Sequence, residues 1–222
     1  MTRINKYIAQ ATGLSRRAAD AAIAEGRVHI NGDVPQAGYD VQPADTITLD
    51  GKPLAAPTTT QTILFNKPAG YVVSRDGQGS RTIYDLLPLA LHNLKPVGRL
   101  DKNSSGLLVL TTDGDLAQRL THPRYHKVKV YEVTLDKPLP PLHRQMIQDR
   151  GVTLEDGPSS FQLERLRERN DTAWRVTMHE GRNRQIRRTF AALGYDVIRL
   201  HRTQFGEYHL QQLPNGHFTA TP

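Results

Sequence analysis

Gly98-Arg99-Leu100-Asp101-Lys102-Asn103-Ser104-Ser105-Gly106-Leu107-Leu108-Val109-Leu110 is a polar loop that runs directly into the longest clean apolar block of the chain. Such a short apolar run after a turn-rich segment predicts a buried strand, at 107–111. Working outward from it, a strand opens at Thr62-Ile63-Leu64-Phe65, and further strands are expected at 128–135, 160–167, 173–179, 195–201 and 207–211. Helical patterns fall at 81–87, 114–121, 140–149 and 183–193. Strands often follow one another with no helix between them, which favours an α+β fold on a mostly antiparallel mixed sheet with flanking helices over a doubly wound parallel one.

A smaller unit precedes this one. Ile4, Tyr7, Ile8 and Ala11 recur at helical spacing up to Gly13; Ser15 can cap a second helix from Arg16 to Glu25. Arg27-Val28-His29-Ile30 and Thr46-Ile47-Thr48-Leu49 read as strands, with a tight turn at Asn31-Gly32. Residues 52–61 carry two prolines and no periodicity, so the expected division is a domain at 1–51, a linker at 52–61 and a domain at 62–222.

Composition narrows the chemistry. The 222 residues hold 29 Lys and Arg against 22 Asp and Glu, a net charge of +7, with 37% hydrophobic residues and no cysteine. Without cysteine there is no disulfide framework, thiolate metal site or cysteine nucleophile. No apolar run approaches the roughly 18 residues of a membrane span, and Met1-Thr2-Arg3-Ile4-Asn5-Lys6-Tyr7 lacks the apolar centre of a signal peptide. The expectation is a cytoplasmic protein, away from membranes, whose first partner is nucleic acid. Nothing in the sequence demands more than a monomer. Within residues 1–30, Arg3, Lys6, Arg16, Arg17 and Arg27 face only Asp20 and Glu25, whereas 31–61 set Lys52 against four aspartates. Arg16 and Arg17 stand in the first turn of a helix, where exposed amides assist phosphate binding. Simple solvation explains them equally.

Four segments of the larger domain hold candidate chemistry. Asn66-Lys67-Pro68-Ala69-Gly70 reads by itself as a turn. Asp101, flanked by Arg99 and Lys102, either organises a turn or is a carboxylate kept ionised as a nucleophile. On a strand, Lys129 and Tyr131 share one face with Lys127, a combination that stacks a base and attracts phosphate, although Tyr131 also suits a core or edge. Finally, Arg184, Arg187 and Arg188 fall at i, i+3 and i+4, one basic helix face that serves either solvent or an anion. His122 and His126 have metal-like spacing, but Pro123 interrupts them and no third ligand is evident, so no metal is expected.

Together these segments resemble the RsuA-type bacterial ribosomal RNA pseudouridine synthases, with an S4-like RNA-binding domain over 3–50. The resemblance is carried by Ser15-Arg16-Arg17-Ala18, Gly26 to Gly32, Asn66-Lys67-Pro68-x-Gly70, Gly98-Arg99-Leu100-Asp101, Lys129-x-Tyr131 and Glu180-Gly181-x-x-Arg184-Gln185-Ile186-Arg187-Arg188. It implies a cofactor-free isomerisation of uridine in ribosomal RNA. Asp101 would be the nucleophile, Tyr131 would pack on the uracil, Arg187 would pair with Asp101, and Leu200 would line the base site. Arg99, Lys129, Arg184 and Arg188, with Arg16 and Arg17, would bind the substrate. The S4-like segment leans towards the large-subunit (23S) members rather than the small-subunit (16S) ones. The competing expectation is a non-catalytic RNA-binding or ribosome-assembly factor. A carboxylate amid phosphate-binding arginines argues against it, because it repels the ligand.

Overall fold

A two-residue strand, Thr2–Arg3, pairs with Asp40–Val41 and leads into two helices whose ends are written in single residues. Gly13, at φ 78°, stops the helix Ile4–Thr12, and the Ser15 hydroxyl accepts the Ala18 N–H at 3.0 Å to cap Arg16–Ala24. Ile4, Ile8, Ala19, Ala22 and Ile23 turn inward against Val28, Ile30 and Ile47. The last three lie in an antiparallel sheet ordered Val28–Ile30, Ile47–Leu49, Lys52–Pro53. That third strand corrects the linker expected from residue 52. Asp50 and Gly51 are both left-handed, at φ 51° and 73°, and fold the chain straight back. Leu54 N–H then donates to Ile47 O at 2.8 Å, and Pro53 is tolerated because it lies on an edge.

This is a computed structural model, and it describes residues 2–55 and 60–221; the middle of the expected linker, 56–59, lies outside the described residues. The chain divides into two compact units, Met1–Gln61 and Thr62–Pro222.

The second unit is built on a nine-stranded mixed sheet. Its main path runs Gln162–Arg165, Ala173–Met178, Lys129–Leu135, Val197–Phe205, Ser105–Thr111, Thr62–Lys67, Phe218–Ala220. Tyr208–His209 and Lys95–Pro96 pair at its margins. Every pairing is antiparallel except one, Val197–Phe205 beside Ser105–Thr111. The apolar run at 107–110 is buried on both sides. Leu108 and Leu110 enter the large core with Trp174, Val133 and Phe190, while Leu107 and Val109 pack under Leu116, Leu120 and Phe205. At the parallel junction, Gly106 is required: at φ 103°, an added Cβ would stand 2.2 Å from Arg202 O.

Several expected elements change size. The helix at 81–87 is only a 3-10 turn, Ile83–Leu86, capped by Asp85 accepting the Thr82 N–H at 2.8 Å. The strand expected at 195–201 continues to Phe205, and that at 207–211 shrinks to Tyr208–His209. The helix expected from 183 begins at Gln185 because Arg184 adopts a left-handed φ of 47°. Arg184 therefore leaves the helical face it was expected to share with Arg187 and Arg188. Among the described residues, no helix is long and apolar enough to cross a membrane.

Candidate functional site

The loop that carries Asp101 is held from below by a lysine. Lys67 ends the strand Thr62–Lys67 fully buried, and its Nζ donates to the carbonyls of Ser104 (2.8 Å), Pro68 (3.0 Å), Asp101 (3.2 Å) and Lys102 (3.4 Å). Gly70 N–H adds a bond to Lys102 O at 2.7 Å. The segment that read as a turn is thus the clamp of the Asp101 loop. Burial pulls the Lys67 ammonium down to about 8, against a smaller opposing pull from Asp101. A lysine closing a strand with the apolar run Ile63-Leu64-Phe65, just before Pro68, was the available signal.

Asp101 emerges from this clamp with its side chain 30% exposed, and Arg184 Nη1 stands 3.6 Å from Oδ2. The ion pair thus comes from Arg184, which corrects the expected Arg187 partner. Arg187 instead donates to Asn103 O at 3.0 Å and Val197 O at 2.7 Å, so it ties the far side of the same loop to the neighbouring strand. Burial and the charge of Arg184 lower the Arg187 pKa, while Asp101 opposes them. The geometric cause is the left-handed Arg184: one residue out of helical register sends the two guanidiniums in different directions.

Asp101 faces a cavity of about 500 Å³, whose walls include Arg99, Leu100, Lys129, Tyr131, Arg184 and Leu200. These come from the Asp101 loop, two adjacent strands and the turn before Gln185–Ala192. Tyr131 is 9% exposed and Leu200 6%, and both lie on the inner wall with buried Phe205 and Arg202; Arg99 and Arg184 are exposed at its rim. His122 and His126 also reach the wall.

Arg188 is not part of that wall. Its guanidinium grips the Asp156 carboxylate at 2.7 and 3.0 Å, and Arg182 adds a contact at 3.0 Å. This holds the Asp156 carboxyl below the usual range. Glu180 and Gln185 are scaffold: the Gln185 amide donates to Glu180 Oε1 and to Ser159 Oγ at 3.0 Å. Sequence reasoning missed Asp156 entirely, since a hairpin residue 26 to 32 positions away leaves no local pattern. It also passed over Arg202, a cation in a strand with no motif around it. In the first unit, Arg16 and Arg17 are exposed in the opening turn of their helix.

Comparison with known proteins supplies the context. Residues 61–192 match the RNA pseudouridylate synthase family and residues 2–47 match the S4 domain. A ribosomal large subunit pseudouridine synthase B of Xanthomonas campestris is 40% identical over 94% of this chain. The chain spans only 44% of that relative's length. The enzyme of the same name from Bacillus subtilis is 37% identical, covering 97% of this chain and 90% of its own length. A crystal structure of a pseudouridylate synthase superimposes with a TM-score of 0.71 at 34% identity, covering all of this chain and 96% of its own. By sequence and by fold, therefore, this chain belongs to the RNA pseudouridylate synthase family, with an S4 domain at 2–47.

Proposed function

We propose that this protein isomerises uridine to pseudouridine in ribosomal RNA, that of the large subunit, as a cytoplasmic monomer. Residues 1–51 serve as the RNA-binding domain and 62–222 as the catalytic one. The observation that carries this reading is that Asp101 and Tyr131 line one cavity with cations around its rim.

A uridine must leave its stack to reach such a cavity, at a cost of about a few kcal/mol, and Tyr131 replaces the lost neighbour with its ring. The carboxylate of Asp101 then acts as nucleophile. A carboxylate oxygen bonds to C1′ as the C1′–N1 bond breaks, and the freed uracil anion turns within the cavity. C5 attacks C1′ and displaces the carboxylate, and the C5 proton is lost while N1 takes one up from water. Tyr131 assists deprotonation. Leu200 bounds the base, while Arg99, Lys129 and Arg184 attract the RNA backbone. Arg187 and Lys67 act by positioning: together they hold both sides of the Asp101 loop. Such control matters because a displacement of about 1 Å from attack geometry costs on the order of 100-fold in rate.

The test is Asp101→Asn. Tritium release from ribosomal RNA labelled at uridine C5, prepared from cells lacking this gene, should vanish in the variant while RNA affinity stays within about twofold. Retained turnover removes Asp101 from the chemistry. No turnover by the parent protein, with RNA binding intact, favours the assembly-factor reading instead.

A further inference from the structure

Deep in the cavity wall lies an arginine with unspent bonding capacity. Arg202 is 2% exposed yet lines the cavity. Its Nε donates to Leu107 O at 2.8 Å and its guanidinium stands 4.6 Å from the centre of the Phe205 ring, but Nη2 is buried with no partner. Among the described residues, no carboxylate lies within ion-pair distance of it. Lys129 stands against the same ring, with Nζ 5.6 Å from its centre and a single bond, at 3.2 Å, to the backbone carbonyl of Glu180. The strand register puts Arg202 directly beside Tyr131, and Phe205 beside Lys129.

The nearby acids are occupied elsewhere: Asp101 faces Arg184, and the Glu180 carboxylate faces Arg182 and Gln185. Two cations are thus packed together around one ring with no carboxylate, among the described residues, in ion-pair contact with either. Burial and Arg202 depress the Lys129 ammonium, which Glu180 only partly offsets. A buried, uncompensated guanidinium is expensive, and a fold retains one in a pocket wall where a ligand brings the anion.

We infer that Lys129 and Arg202 form an anion subsite for a backbone phosphate of the RNA, next to the nucleotide whose base stacks on Tyr131. This rests on the reading of the cavity as an RNA site. Phosphate is the favoured anion because it arrives already charged, whereas an unreacted uracil is neutral. The two cations divide the work. Lys129, less deeply buried, is a point charge at the surface, and Arg202 behind it has a planar donor left to give.

The experiment uses Arg202→Met, Arg202→Lys and Lys129→Met in the full chain. Thermal midpoints are read from Trp174 fluorescence, in phosphate and in chloride of equal ionic strength. RNA affinity is read across a salt series with unmodified ribosomal RNA transcript. Arg202→Met should melt no lower than the parent, lose the extra stabilisation that phosphate confers, and bind RNA about tenfold more weakly. Its slope of log affinity against log salt should flatten by about 0.7–0.9. Arg202→Lys should retain part of both responses. If Arg202→Met does not fold, Lys129→Met carries the test with the same expected loss of slope. A lower midpoint with RNA slope and phosphate response intact makes Arg202 structural and overturns the inference. So does a loss of tritium release alone, since the charge would then serve the base. Because these readings are equilibria, they stand even if the parent protein releases no tritium, a result that would count against isomerisation only.

Discussion

Lys67 shows how one buried amine can set both pH behaviour and geometry. Its pKa near 8 lies below the ordinary 10.5. Between these values the unfolded chain binds the proton that the folded protein has lost, so this group's contribution to stability rises with pH across that window. Its desolvation penalty is fully present only below about 8. Activity should move the other way. The neutral amine has two N–H donors for four carbonyls, so the clamp on the Asp101 loop loosens as pH climbs through 8. We expect tritium release to decline above pH 8 with no matching loss of thermal stability from this group. Lys67→Met should be about 10- to 100-fold slower at neutral pH and lack that alkaline decline. A parent-like pH profile in the variant would separate Lys67 from the loop.

At the scale of elements, the parallel pair Val197–Phe205 and Ser105–Thr111 is the feature on which the site depends. It brings Tyr131, Arg202 and Gly106 side by side across three strands, and the Asp101 loop leads directly into that junction. The strands approach closely only because Gly106 has no side chain. Gly106→Ala combines an unfavourable φ with a Cβ 2.2 Å from backbone, which no rotamer change relieves. It should cost about 2–4 kcal/mol, measured by urea denaturation with Trp174 as reporter. A change below about 0.5 kcal/mol would mean the strands can separate freely. The helix Gln185–Ala192 teaches a related lesson. The arginines at its start do not form one face; their guanidiniums serve in turn Asp101, the Asn103 and Val197 carbonyls, and Asp156.

For the whole molecule, the net charge of +7 lies in the second unit, but both units present exposed cations. The first carries Arg16 and Arg17 exposed on a capped helix end, and the second carries the cations of the cavity. If both engage the RNA backbone, each should contribute separately to salt dependence. Arg16→Ala with Arg17→Ala should weaken RNA binding and reduce the salt slope by about 0.7–0.9 for every phosphate that is no longer neutralised. The C5 tritium release rate at saturating RNA should remain that of the parent. An unchanged slope would show that these side chains do not touch the backbone.

Much of this protein could be read in its residues because the signals are local. The Ser15 cap, the Gly13 stop and the run at 107–110 each act over a few positions, and the Asn31-Gly32 turn is favoured because both residues tolerate a left-handed backbone. The candidate residues Asp101, Tyr131, Leu200, Arg99, Lys129 and Arg184 all line one cavity. Which guanidinium faces Asp101, what holds its loop, and why Arg202 lacks a partner were decided only in three dimensions. Those outcomes depend on bonds between residues 34 to 95 positions apart and on one left-handed backbone angle, and neither leaves a periodic trace along the chain.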